Sequence, residues 1–169
     1  MEMHIGIEKK ERGEITKGLS SLLADSYSLY LMTQNFHWNI TGPLFDSLHE
    51  LFEKQYQDLA EAVDEIAERI RALGYPAPAT FKKFSALSTI EEVEGIPPTS
   101  QMIEALVRGN EATLRTARAL IKTAEASSDQ PTLDLLARRM LVHEKNAWML
   151  RSHLEGSGEE MNRMSKSAS

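Results

Sequence analysis

Five side chains in the first half of this 169-residue sequence have the types and the spacing to hold a hard cation: His37, His49, Glu53, Asp64 and Glu68. The chain has no cysteine, so imidazole and carboxylate are the available donors. That set suits iron or manganese, with zinc as a competing ion. On a helix, positions 49, 53, 64 and 68 fall within an arc of roughly 100°, beside the apolar face rather than within it. Along the axis, however, His49 and Asp64 are about 22 Å apart at ~1.5 Å per residue, whereas metal–ligand bonds are only ~2 Å long. One ion cannot use both within one chain. The four residues form two i, i+4 pairs placed symmetrically about the midpoint between residues 58 and 59. Two copies crossing antiparallel at that point would bring each His49–Glu53 pair to the partner's Asp64–Glu68 pair, and a two-fold axis makes two equivalent sites. Ala60, on the same arc, permits close approach. Taken singly, each residue has an ordinary reading. Acids on a helix flank are commonly just solvated, and a histidine on an apolar face is commonly a core residue. The conjunction of symmetric spacing, two histidines and a short turn carries the metal reading.

The elements that must position these groups follow from hydrophobic periodicity, which predicts four helices and few strands. The first spans about Glu14 to Asn39, with Leu19, Leu23, Tyr30 and His37 on one face. Thr41-Gly42-Pro43 is a tight breaker that joins antiparallel helices, so His37 and His49 stand at similar heights on either side of it. The second helix spans about Leu44 to Leu73, with Phe45, Leu48, Phe52, Leu59, Val63, Ile66 and Ile70 as its apolar face. Gly74 fits a C′ stop and Pro76 follows it. A Pro-rich connection covers residues 75–98, within which Thr89 to Glu94 can form a short helix. The third helix opens at Pro98-Thr99-Ser100 and runs to about Ala126. Ser128-Asp129 with Pro131 caps the fourth, which runs to about Leu154. Short, long and short connections predict an all-α, ferritin-like four-helix bundle with one end-to-end crossover carrying a short helix. We assign residues 14–155 to the bundle, 1–13 to a flexible N-terminal segment and 156–169 to a flexible C-terminal tail.

Composition narrows the function classes. One chain of this length makes a single domain with a real core. The absence of cysteine excludes a disulfide framework, thiolate catalysis and iron–sulfur ligation. No membrane-length apolar run or leader-like segment is seen, which predicts a soluble, cytoplasmic protein with no membrane partner. A net charge of −6 argues against a surface built for nucleic acid. Lys9, Lys10, Arg12 and Lys17 interleave with Glu2, Glu8, Glu11 and Glu14, while Arg163 and Lys166 are opposed by Glu159 and Glu160. Uncompensated positive charge is scarce, so DNA binding is expected to be weak or absent, with nucleoid association the alternative.

The stretch Asn35-Phe36-His37-Trp38-Asn39, then Gly42-Pro43, Phe45, Leu48-His49-Glu50 and Asp64-Glu65-Ile66-Ala67-Glu68-Arg69, closely resembles the Dps family (DNA-binding proteins from starved cells, the mini-ferritins). The resemblance extends over essentially the whole bundle, including Trp148 of the last helix. It implies that His37, His49 and Glu53 are ligands from one subunit and that Asp64 and Glu68 come from its two-fold partner. Many members carry Asp where this chain has Glu53, a departure that bears on coordination geometry. The Glu-x-x-His pairs of larger ferritins are absent, which favours a site between subunits over one inside the bundle.

The resemblance further implies a hollow homo-dodecamer that oxidises Fe(II), with hydrogen peroxide or oxygen as oxidant, and stores ferric mineral as protection against oxidative damage. Such a protein is a ferroxidase, an oxidoreductase acting on metal ions. Trp38, beside a ligand, could intercept stray oxidising equivalents; as a core or interface aromatic it would need no such role. Asp129 and Asp134 match the place where the family lines a three-fold pore with acids, and both also suit a helix start. His143 follows a bundle seam with Leu136, Met140 and Ala147, the pattern of a hydrogen-bonded core histidine. Two rival functions stand beside this one. One is a DNA-protecting cage with little metal chemistry. The other is a smaller oxidase with a metal pair inside each bundle, for which Glu111 is the one candidate ligand of the third helix.

Overall fold

The computed structural model describes residues 3–167, with side chains described as far as residue 155. It is all-helical among those residues: α1 (Lys9–Asn39), α2 (Phe45–Ala72), α3 (Phe81–Leu87), α4 (Thr99–Ala126) and α5 (Gln130–Ser167). α1 packs on α2 and α4 on α5 as two hairpins; α1 also packs on α4, and α2 touches α5. α3 lies in the crossover and rests on α1. No described helix is long and apolar enough to cross a membrane.

Three boundaries differ from the sequence reading. α1 starts at Lys9 rather than near Glu14, because Glu8 and Glu11 close a reciprocal capping box that satisfies amide groups at the helix start. Arg12 is buried and donates to the carbonyls of Ile7 and Leu73. Residues 9–13 therefore belong to the bundle and not to an N-terminal arm. The crossover helix is α3, at Phe81–Leu87, and not Thr89 to Glu94. Thr80 caps it by accepting from the Lys83 amide, and Phe84 buries its ring in the core. Residues 89–94 are instead non-helical, entered through Ser88 and Thr89, which bond Asp25, a fully buried carboxylate of α1. It accepts from the Thr89 amide, from the Thr89 and Ser88 hydroxyls and from Thr116 Oγ1 of α4. Four donors on one carboxylate offset the cost of burying it and fasten the crossover to two helices. The last helix, expected to end near Leu154, continues to Ser167, so residues 156–167 of the expected C-terminal tail at 156–169 are helical.

The helix ends follow the punctuation. Gly42 adopts φ +103° in the turn between α1 and α2. Gly74, at φ +91°, sends its amide to Arg71 O while the Tyr75 amide reaches Ile70 O, a Schellman ending that any residue with a Cβ would strain.

The core has two apolar parts. One holds Leu29, Phe36, Leu48, Phe52, Leu59, Leu106 and Leu150; the other holds Leu19, Leu22, Ile66, Ile70, Leu120 and Leu136. Phe45, placed by periodicity on the apolar face of α2, lies outside both and is exposed. Between the two parts, along the helices, come buried polar groups, Asn110 and Thr113 on α4 and Arg139 and His143 on α5, while Gln55 of α2 is buried beside the first part. His143 Nδ1 meets Asn110 Oδ1 at 2.8 Å, while Asn110 Nδ2 donates to Leu106 O. That second bond fixes which amide atom is the oxygen, so Nδ1 carries the proton. The core-histidine reading of His143 is the observed one. Arg139 makes a forked pair with Asp58 of α2, at 2.7 and 3.2 Å.

Candidate metal centre

The α1–α2 turn brings His37 and His49 face to face. Their ring centroids are 3.8 Å apart and their planes 20° from parallel. Each Nδ1 reaches the other residue's main-chain carbonyl at 2.9 Å. A carbonyl oxygen can only accept, so both Nδ1 atoms are the donors and the lone pair of each neutral ring sits on Nε2. This reciprocal clasp does what an outer hydrogen bond does for a metal-binding imidazole: it sets the tautomer and the ring plane. Phe45 stacks on His49 with centroids 5.0 Å apart, and Tyr56 meets the His37 ring edge-on at 5.1 Å. His37 is buried and His49 half-buried.

Glu53 lies one turn beyond His49 on α2 and is half-buried, with Gln57 Nε2 3.4 Å from its Oε1. Asp64 and Glu68 are exposed, and among the described residues neither carboxylate has an ion-pair or hydrogen-bond partner. Other acids of α2 are engaged: Glu50 with Lys54, Asp58 with Arg139, and Glu65 with Arg138. The Lys54 hydrogen bond, followed by its charge, holds the Glu50 carboxyl below its usual range. Lack of a partner does not by itself single out a ligand, because Glu61 shares it. Within one chain, no group of three His, Asp or Glu side chains comes together as a cation site among the described residues. The single subunit thus has a histidine half-site at one end of α2 and a carboxylate pair about four turns away.

The remaining candidates divide. Trp38 is 64 % exposed, and the rings that contact His37 are His49 and Tyr56. Sequence adjacency had pointed to the tryptophan; the tyrosine comes from the next helix, and only packing reveals it. Glu111 pairs on the surface with Arg151 at 2.8 Å, so it does not point into the bundle as an internal di-metal site would need. Asp134 is exposed and pairs with Arg138 one turn on.

Asp129 is 0 % exposed. It accepts from Arg69 at 2.6 Å and from the amide and hydroxyl of Thr132, the geometry of an N-cap. These three bonds hold it inside the subunit as a helix cap, one of the two readings that the sequence offers for this residue. Burial works to raise its pKa, but the bonds from Arg69 and Thr132 outweigh that and hold the carboxyl below its ordinary value. Its stabilisation is therefore complete above the ordinary carboxylate pKa and lost as pH falls through the lowered one. Asp129→Ala is expected to cost about 3 kcal/mol, since it strands a largely buried guanidinium and removes the cap. Denaturant unfolding checks this, with Asp129→Asn, which keeps a cap acceptor, losing less. A pore acid would show the reverse pattern, with normal stability and slowed iron uptake.

Residues 16–157 match the ferritin-like domain family. The chain is 38% identical to DNA protection during starvation protein 2 of Bacillus anthracis over 83% of its own length and 97% of that protein's. It is 39% identical to a low temperature-induced protein of Nostoc sp., covering 95% of this chain and 90% of that one. Among solved structures it superposes on the Dps protein of Vibrio cholerae O1 with a TM-score of 0.86 and 30% identity, over 91% of this chain and 98% of that one. The chain belongs to the Dps family of ferritin-like proteins. As a Dps subunit it has the expected architecture, four long helices with a short one between the second and third. The Vibrio Dps is described as belonging to the ferritin-like diiron-carboxylate proteins.

Proposed function

We propose that two copies of this chain, antiparallel along α2, complete a site for Fe(II), and that the assembled protein oxidises the iron and keeps the ferric product inside a hollow dodecamer. His37, His49 and Glu53 of one subunit would bind with Asp64 and Glu68 of the other. The observation that carries this reading is the reciprocal histidine clasp. Two imidazoles with both Nδ1 atoms engaged present two basic Nε2 atoms, and carboxylates are the donors they lack. Exposed Phe45, stacked on His49, and exposed Leu141 are apolar surface that a neighbouring copy would cover.

Anionic oxygen ligands favour Fe(III) over Fe(II), because the harder, more charged ion gains more from them. A pair of irons can deliver two electrons to one peroxide, forming water and releasing no hydroxyl radical. Fe(II) oxidation by peroxide and by oxygen, followed in wild type, His37→Ala and Asp64→Ala, tests the site. Both variants are expected to lose the fast phase while keeping the oligomeric size of the wild type. Unchanged kinetics in either would overturn the ligand assignment.

The names of several relatives raise DNA protection as a second role. Arg12 is buried and bonded to main-chain carbonyls, and the chain carries a net charge of −6, so we infer that any protection of DNA comes from consuming iron and oxidant, in a cytoplasmic setting, rather than from tight DNA binding.

A further inference from the structure

Tyr56 is one of a line of rings. Its centroid is 5.1 Å from that of His37 and 6.1 Å from that of Tyr30, and Tyr30 is 5.8 Å from Tyr27. Tyr27 then meets Phe84 at 4.8 Å and Phe81 at 6.5 Å. The three tyrosines come from two helices, all are half-buried, and each neighbouring pair is in the range of direct aromatic contact. The line starts at a ligand ring of the candidate metal centre. It ends at Tyr27, which lines an open cleft of about 440 Å³ between α1, α3 and residues 90–94. A core that needed only apolar volume would be served by Phe at these places. Tyr adds a phenol that can be oxidised by one electron when its proton can leave, and partial exposure lets the proton leave.

We propose that Tyr56, Tyr30 and Tyr27 form a redox relay that moves an oxidising equivalent from the His37–His49 centre to the crossover face. The proposal rests on Fe(II) oxidation at that centre. It addresses the case in which peroxide arrives when only one Fe(II) is bound, so that the iron supplies one of the two electrons required. Tyr56 supplies the other. One Fe(II), one tyrosine, one hydrogen peroxide and one proton give one Fe(III), one neutral tyrosyl radical and two waters. The O–O bond breaks, both oxygens leave as water, and the phenolic proton together with the one from solution completes the two waters. Passage of the radical to Tyr30 and Tyr27 transfers one electron and one proton back along the line at each step. At Tyr27 a second Fe(II) from solution reduces the radical, takes up no oxygen atom and returns the tyrosine with one proton. The sum is two Fe(II) oxidised per peroxide, as at a filled centre, with no free hydroxyl radical.

The test uses the whole protein loaded with one Fe(II) per subunit, mixed with peroxide and freeze-quenched for electron paramagnetic resonance. Oxidised peptides are mapped by mass spectrometry in parallel. Wild type is expected to show a tyrosyl signal, with modification at Tyr27 and Tyr30. Tyr56→Phe, which keeps ring packing, is expected to lose most of that signal and to gain hydroxyl-radical products at other residues. Tyr27→Phe should keep the signal, prolong its life and shift modification to Tyr30 and Tyr56. The relay is overturned if Tyr56→Phe leaves the signal and peptide map unchanged, or if the radical forms at Trp38 instead. Iron binding and stoichiometry, measured in the same samples, separate the two levels. Two Fe(II) oxidised per peroxide with a radical indifferent to Tyr56 removes the relay alone, whereas no Fe(II) oxidation in wild type removes both readings.

Discussion

Mixing inactive His37→Ala subunits with inactive Asp64→Ala subunits is expected to restore iron oxidation once subunits exchange. The reasoning is geometric. If the site draws its histidines from one chain and Asp64 from the other, a mixed dimer has one site lacking both groups and one site with every ligand present. Equal mixing with random exchange makes roughly half the dimers mixed, so about a quarter of all sites are intact, against none in either variant alone. Recovery to about that fraction of the wild-type fast phase is the expected result. Labelled subunits establish that exchange has occurred. Zero recovery with exchange established would mean that both residues act in one chain, an arrangement that a distance of about four helical turns along α2 forbids for a single ion. The metal assignment would then fall.

Acid is expected to destabilise the subunit through His143 before the bulk of the carboxylates titrate. This ring is 1 % exposed, its Nδ1 donates to Asn110, and its Nε2 has no hydrogen-bond partner among the described residues. Burial lowers its pKa to about 3, with the nearby Arg139 charge acting in the same direction and Asp58 weakly against it. In the unfolded chain a histidine titrates near 6.5. Between those values the unfolded state holds a proton that the folded state refuses, so stability is full above about pH 6.5 and falls as pH drops towards 3. At 1.36 kcal/mol per pKa unit the whole loss is on the order of 5 kcal/mol per subunit. His143→Gln can still donate to Asn110 and cannot titrate. Denaturant unfolding of both proteins from pH 7 to pH 4 should give a steeper decline for wild type. Parallel declines would show that protonation of this ring does not limit stability, as when a buried water accepts the charge.

Much of this protein can be read from local patterns. The 3.6-residue periodicity, the Thr41-Gly42-Pro43 and Gly74 punctuation and the Asp129 cap are short-range effects, and they place α2, α4 and the two hairpin turns within a residue or two. The symmetric spacing on α2 is also local, because a helix converts sequence separation directly into distance and angle. Several departures from the sequence reading involve contacts distant in sequence. α1 begins early because Glu8 and Glu11 cap it locally and Arg12 finds the Leu73 carbonyl across the hairpin. The stretch after α3 is pinned at Thr89, whose amide and hydroxyl both go to Asp25, more than sixty positions earlier. Asp129 turns away from solvent because Arg69 on α2 reaches it.

The sequence by itself determined which residue types could meet a hard cation and showed that one chain cannot bring them together, since both follow from donor chemistry and helix rise. Only the tertiary structure decided that each histidine ring clasps the other's carbonyl, leaving both Nε2 atoms as the basic ones, and that the tyrosine packed against His37 is Tyr56. Tautomer and ring contact depend on how two helices rotate against each other when their apolar faces pack, and no short-range pattern encodes that rotation.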